Sequence, residues 1–143
     1  MMIGPIAAVA VTGCGSGNNT TPAATTAAKP TAPAKTLQTD TVTLDDFAIK
    51  PATTSLKAGK TEFKVTNKGK TAHEFVVLDT GKKASALGHG MRVPETGHVG
   101  ETGNVAPGTS KTLVLNLRKG HYAVICNDPG HYMAGMHKDL YVA

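Results

Sequence analysis

Apolar and polar residues alternate in short runs along most of this chain. Thr41-Val42-Thr43-Leu44 places apolar residues at every second position, and Phe47-Ala48-Ile49 continues toward Pro51. Period-two alternation marks a half-buried strand, so this stretch predicts a first strand, with Asp45-Asp46 as a bulge or turn within it. Leu56-Lys57-Ala58-Gly59-Lys60 predicts a turn before a second strand, Thr61-Glu62-Phe63-Lys64-Val65-Thr66, with Phe63 and Val65 on one face. Asn67-Lys68-Gly69-Lys70 reads as a tight turn, and His73 to Leu78 as a largely apolar, buried strand.

Residues 79–104 break the pattern. Gly and His recur, apolar periodicity vanishes, and helix formers come only as Lys82-Lys83-Ala84-Ser85-Ala86-Leu87, which predicts a long loop with one helical turn. Ala106-Pro107-Gly108 is a turn into the alternating strand Lys111-Thr112-Leu113-Val114-Leu115-Asn116-Leu117. Arg118-Lys119-Gly120 leads into His121-Tyr122-Ala123-Val124-Ile125-Cys126, and Lys138-Asp139-Leu140-Tyr141-Val142 is the last strand. No segment keeps a helical period over ten residues. Many short strands at close spacing predict an all-β sandwich.

The N-terminal part is different. Residues 1–13 are short, apolar and end in small residues, as the apolar core and processing site of an export signal do; they are too few to span a bilayer as a helix. Residues 15–36 are Gly, Ser and Asn, then Thr, Ala and Pro with two lysines, and carry no large apolar side chain to build a core. Extended at about 3 Å per residue, that stretch reaches up to roughly 60 Å. The expected organisation is a leader over 1–14, a disordered tether over 15–38 and one domain over 39–143. Val11-Thr12-Gly13-Cys14 resembles the bacterial lipobox, whose Cys is lipidated and becomes the mature N-terminus. It departs from that pattern in having Val at position 11 rather than Leu, and no Lys or Arg before the apolar run. The alternative is a plain secretory leader or an uncleaved anchor.

Composition narrows the function. The formal charge is +5, and without Lys29 and Lys35 of the tether the remaining chain carries 13 basic and 10 acidic side chains. The lysines are scattered singly, with no basic block interleaved by aromatics, which argues against nucleic-acid binding. There is no Trp and only 4% aromatic residues, so the core must rest on Val, Leu, Ile and Ala.

The chemistry gathers near the C-terminus. Val124-Ile125-Cys126-Asn127-Asp128-Pro129-Gly130-His131-Tyr132-Met133-Ala134-Gly135-Met136 carries Cys126, His131 and Met136 at five-residue steps on a Gly- and Pro-rich connection. A thiolate, an imidazole and a thioether form a soft donor set that suits copper, and a copper site of this kind needs a second imidazole. His73 is the candidate, since a neutral imidazole at the head of a buried strand is costly unless paired or metal-bound. Taken singly, Cys126 reads as a buried free thiol, His131 as a surface-loop histidine and Met136 as packing; it is their joint spacing that favours the metal. A disulfide between Cys14 and Cys126 would join a leader to the metal loop, so each cysteine needs its own reason to exist. His89, Met91 and His98 read as surface loop residues, with a second metal site or partner contact as the alternative. His121 and His137 are expected to face solvent.

Asn67-Lys68-Gly69-x3-His73-Glu74-Phe75-Val76-Val77 resembles the first-ligand strand of the cupredoxins, and Cys126-x4-His131-x4-Met136 resembles their ligand loop. The loop spacing is most similar to the rusticyanin and sulfocyanin branch, and the resemblance covers about residues 41–143. It implies an eight-stranded Greek-key sandwich holding one mononuclear type 1 copper for one-electron transfer. Cys126, His73 and His131 would form a trigonal plane, with Met136 a long axial contact. His131 would present its ring edge to solvent, with Tyr132, Ala134 and Gly135 as an apolar docking patch for a redox donor and acceptor. One departure is Glu74, where the family often has Asn or Ser, and it leaves the potential open. The function expected is a monomeric, extracytoplasmic blue-copper electron carrier, anchored to the membrane through lipidated Cys14. The alternative is a copper carrier or store that delivers copper to an oxidase. Copper enzymes need His-x-His pairs and a second domain, which the sequence lacks, so no enzymatic activity is expected.

Overall fold

The computed structural model describes residues 37–143, so Cys14 and the stretches expected to be leader and tether, up to residue 36, lie outside the described residues. Nine strands are formed: β1 (Gln38–Asp45), β2 (Ala48–Pro51), β3 (Ser55–Leu56), β4 (Gly59–Asn67), β5 (Val76–Asp79), β6 (His98–Glu101), β7 (Ser110–Leu117), β8 (Gly120–Ile125) and β9 (His137–Val142). They build a four-stranded sheet in the order β2-β1-β4-β7 and a five-stranded sheet in the order β3-β9-β8-β5-β6. β1 runs parallel to β4 and β3 parallel to β9, while the other pairs are antiparallel. The all-β sandwich expected from the alternation is the fold observed.

The core lies between the sheets, where period-two alternation delivers one face of each strand. Val42 and Leu44 of β1, Phe63 and Val65 of β4, Val77 of β5, Tyr122 and Val124 of β8 and Leu140 and Val142 of β9 meet there, and Cys126 and Met136 belong to the same cluster. Each fully buried side chain of this size contributes about 1.5–3 kcal/mol. Phe63 and Phe75 supply the aromatic centre, with ring centroids 5.3 Å apart. A second cluster covers the outer face of the five-stranded sheet, where Val76, Leu78, Ala123 and Ile125 pack against Ala84, Val93 and Tyr132. This explains the near-continuous apolar runs of β5 and β8: both faces of these strands are buried.

Several expectations change in detail. The first strand is a hairpin of β1 and β2 turning at Asp46-Phe47, and Phe47 adopts a positive φ of 67°. β1 begins at Gln38, one residue before the expected domain boundary. The stretch read as a turn before the second strand holds Leu56, which pairs with Val142 as part of β3, and Gly59-Lys60, the start of β4. The long loop contains one 3-10 turn, Ala84–Ala86, as its helix formers suggest, but also the unexpected edge strand β6. β6 escapes the alternation rule because its residues, His98-Val99-Gly100-Glu101, are all exposed or half-buried. Dividing the first strand into β1 and β2 and adding β3 and β6 takes the six strands read from the alternation to nine among the described residues, where the resemblance implies eight.

Candidate metal centre

The ligand loop starts where β8 ends. The Cys126 amide donates to the Met136 carbonyl (3.0 Å), closing the loop at its base. Within it, His131 N–H bonds Asp128 O (2.9 Å), Ala134 N–H bonds Gly130 O (3.0 Å) and Met136 N–H bonds His131 O (3.1 Å). These tight turns need left-handed backbone at Gly130 (φ 82°) and Gly135 (φ 110°), which glycine adopts without steric cost. A Cβ on Gly135 would also stand 3.4 Å from the Phe47 carbonyl of the β1–β2 turn.

His73 comes from elsewhere. It is not inside a long strand, as its apolar surroundings suggest, because β5 begins only at Val76. Instead His73 forms an isolated bridge with Val105, exchanging N–H···O bonds of 3.2 and 2.7 Å. The fully buried Asn67 organises this corner: its Nδ2 donates to Thr71 O and Val105 O, both at 2.8 Å, and its Oδ1 accepts the Gly69 amide.

These two pieces converge. Donor atoms of His73, Cys126 and His131 all lie within 4.8 Å of one another. His73 Nδ1 is 3.2 Å from His131 Nδ1, and Cys126 Sγ is 3.3 Å from the same His131 nitrogen. A first-row cation bonded to three donors in a plane at about 2.0–2.3 Å requires them roughly 3.5 Å apart, so the trio fits such an ion with little movement. No carboxylate oxygen joins the trio, which leaves a soft and borderline donor set. His73 and Cys126 are buried and His131 is half-buried. Met136, fully buried, sits in the same cluster as Cys126. The Glu74 amide donates to Cys126 Sγ at 3.4 Å, so the backbone after His73 supplies the bond to sulfur whatever its side chain. Burial pushes the Cys126 thiol up to about 11, with the Glu74 and Asp128 amides opposing. The metal-free site therefore holds a neutral thiol at pH 7, and a bound cation must expel that proton.

The comparisons with known proteins agree with this geometry. The sequence profile of the cupredoxin-like domain family matches residues 20–137. The chain belongs to the cupredoxin-like family. It is 30% identical over 140 residues to the copper-resistant cuproprotein CopI of Pseudomonas aeruginosa, covering 76% of this chain and 77% of that protein. It is 33% identical over 85 residues to the iron uptake system component EfeO of Escherichia coli, covering 59% of this chain but 19% of EfeO. Among solved structures, it is similar to auracyanin of Roseiflexus castenholzii (TM-score 0.58, 20% identity, 74% of this chain and 97% of that one). It is also similar to rusticyanin of Thiobacillus ferrooxidans (TM-score 0.58, 15% identity, 75% of this chain and 77% of that one).

Around the trio, this cupredoxin-like chain departs from the sequence reading at several residues. Tyr132 is not a surface docking residue. It is 3% exposed, and its hydroxyl donates to Ala84 O (2.7 Å) and accepts from the Leu87 amide (3.1 Å), tying the ligand loop to the 3-10 turn. Ala134 and Gly135 are exposed as expected, and the large apolar side chains beside them are Met133 (57% exposed), Phe47 (62%) and Met91 (65%). Met91 adjoins the loop through its carbonyl, which accepts the Gly130 amide (2.7 Å). His121 does not simply face outward. Its Nε2 lies 2.8 Å from Asp139 Oδ1 and its Nδ1 meets the Thr80 carbonyl. His137 is half-buried against the Tyr132 ring, with centroids 5.0 Å apart. His89 is exposed. His98 forms a second trio with Glu95 and Glu101, on the surface and with Glu95 held by Asn127.

Three polar groups surround the candidate ligands, and sequence reasoning singled out only Glu74 among them. Asp46 Oδ1 lies 3.1 Å from His73 Nε2, and the Lys70 amide bonded to its carboxylate holds that group below its usual range. Glu74 Oε1 accepts the Asn127 amide (3.0 Å), while burial, and then the charge of Asp128, push its carboxyl up. Asn127 binds the 92–95 segment through three further side-chain bonds. Asp46 and Asn127 have no sequence signal beyond being polar residues near a turn.

Proposed function

We propose that this protein is an extracytoplasmic, membrane-tethered blue-copper electron carrier whose ion is held by His73, Cys126, His131 and Met136. The observation that carries this reading is the convergence of two imidazole nitrogens and a buried thiol within 4.8 Å. Copper bound there supplies a one-electron Cu(I)/Cu(II) couple. The chain's own contribution is rigidity and access. Cys126 and Met136 are fixed in the sandwich core, His73 is pinned to Val105, and the amide of Glu74 orients the sulfur. His131, half-buried, is the candidate ligand nearest solvent, and Phe47, Met133 and Met91 give its end of the molecule an apolar surface suited to brief docking. Donor and acceptor proteins would dock there. Lipidation of Cys14 would supply the tether; among the described residues no helix is long and apolar enough to cross a membrane.

Adding Cu(II) to the full chain tests the reading. An intense thiolate-to-copper charge-transfer band with narrow EPR hyperfine splitting is expected, and a colourless protein would overturn it. Metabolic labelling with a fatty acid, lost in Cys14→Ser, tests the anchor.

A second reading, copper carriage or storage for an oxidase or for resistance, is favoured by the exposed thioethers of Met91 and Met133 and by the name of the Pseudomonas relative. Transfer of copper to a chelator distinguishes the two. Copper that leaves faster than the protein exchanges electrons supports carriage, whereas copper retained through repeated redox cycles supports the electron carrier.

A further inference from the structure

The tip of the β1–β2 hairpin, from one sheet, reaches His73, which is attached to the other. There Asp46 Oδ1 faces His73 Nε2 at 3.1 Å, while His73 Nδ1 faces His131. The carboxylate is itself fixed: both oxygens accept the Lys70 amide, at 3.0 and 3.1 Å, and Thr71 Oγ1 approaches Oδ1 at 3.4 Å. Space at this junction is closed. A Cβ on Gly69 would lie 2.5 Å from Asp46 Oδ1 and 2.8 Å from His73 Nε2, so only glycine permits the approach.

We propose that Asp46 is a positioning residue for the metal centre. It accepts the Nε2–H of His73, fixes the ring so that the Nδ1 lone pair points at Cys126 and His131, and strengthens that nitrogen as a donor. A neutral imidazole carries one proton; a carboxylate at Nε2 assigns it there and leaves Nδ1 as the free acceptor. Turning the ring over would set a carbon against the carboxylate and another carbon in the metal centre. A carboxylate behind a metal-bound histidine raises its basicity. The more highly charged Cu(II) gains more from that than Cu(I), so Asp46 lowers the potential. This inference rests on the copper reading above, but its first consequence is a property of the metal-free chain.

The experiment uses the full chain. Long-range ¹⁵N–¹H NMR of the metal-free protein is expected to show His73 protonated at Nε2. Asp46→Asn keeps a carbonyl acceptor but removes the charge. It is expected to weaken Cu(II) binding roughly 10–100-fold and Cu(I) binding less, each tenfold difference reading as a rise of about 59 mV in potential. Asp46→Ala removes the acceptor and is expected to exceed that effect; if it does not fold, Asp46→Asn alone decides. Protonation of metal-free His73 at Nδ1, or an Asp46→Asn potential equal to that of the parent, would overturn the proposal. A parent chain that takes up no copper overturns the proposed function instead, and the metal-free His73 spectrum still decides the placement of its proton.

Discussion

Asn127 is the residue whose loss should best show how the ligand loop is held. It directly follows Cys126, is 3% exposed, and grips a segment more than thirty positions away in sequence. Its Oδ1 accepts the Val93 amide (2.8 Å), and its Nδ2 donates to Val93 O (2.9 Å) and Glu95 Oε1 (2.8 Å). Its own carbonyl accepts from Arg92 Nη1 (2.7 Å). Asn127→Ala leaves both backbone groups of Val93 without partners, and Val93 is 4% exposed. Each buried unsatisfied group costs about 1–3 kcal/mol, so allowing water to reach one of them, the loss should be about 2–4 kcal/mol. At about 4 °C per kcal/mol for a domain of this size, that is a drop in Tm of roughly 8–16 °C. Asn127→Asp keeps the acceptor for the Val93 amide. It sets a second acceptor against the Val93 carbonyl and a second carboxylate against Glu95, so it should be at least as destabilising as Ala despite its closer shape. Thermal melting of the full chain, with hydrogen exchange of the Val93 amide, measures both effects. An Ala variant that melts within about 3 °C of the parent, less than 1 kcal/mol, with Val93 still protected, would refute the claim that Asn127 holds this segment.

Four further outcomes follow from other parts of the structure. His131→Gly should lose the charge-transfer band and regain it on adding imidazole; a parent-like spectrum without imidazole would remove His131 from the ligand set. Gly69→Ala forces its Cβ against Asp46 and His73, and should cost about 1–3 kcal/mol and weaken copper binding; unchanged affinity would show that the corner can yield. Asp40 is 1% exposed, its Oδ2 has no hydrogen-bond partner among the described residues, and burial raises its carboxyl above the usual range. The native state therefore holds that proton more tightly than the unfolded chain, so stability declines as pH rises from about 3.9 through the raised native value; Asp40→Asn should flatten that decline in denaturant titrations across pH. Phe47→Asn, which suits left-handed backbone better, should raise stability by about 1 kcal/mol, read from the denaturant midpoint; a fall would show that the ring contributes packing despite its exposure.

The sequence made the strands legible where one face is buried and the other is not. β1, β4 and β9 alternate because each has one core face and one outer face. It was less clear where both faces are covered or neither is. β5 and the residues before it form one apolar run, so the point where pairing starts, after His73, could not be read from hydropathy. β6 lies at a sheet edge with no buried residue and carries no pattern at all. At the centre, the spacing of Cys126, His131 and Met136 was visible because three candidate ligands on one loop are local in sequence. Asp46 and Asn127 were not, because each acts on a partner more than 25 residues away and looks, in sequence, like any polar residue near a turn; Glu74 stood out only as a departure from the family pattern, without its partner Asn127. Tyr132 misled for the opposite reason. A tyrosine next to a solvent-facing histidine suggests a surface, whereas its hydroxyl finds buried partners in the 3-10 turn.

The placement of the candidate ligands in the core has a consequence for their chemistry. Cys126 and Met136 share one cluster with Phe63, Phe75 and Val105, and Val105 is also the bridge partner of His73. Close-packed interiors resist displacement, so these three side chains can move only if the sandwich moves with them. His131 alone is held by the turns of its own loop and reaches toward solvent. A core substitution such as Phe75→Leu should therefore disturb the sulfur and His73 through the backbone it shares with Glu74, whose amide bonds Cys126. A substitution at Met133 or Phe47 should alter access at the surface and leave the ligand positions alone. On the proposed copper reading, the centre would separate into a rigid half that sets its electronic character and an exposed edge that meets its partners. Variants in the two halves should change potential and docking independently.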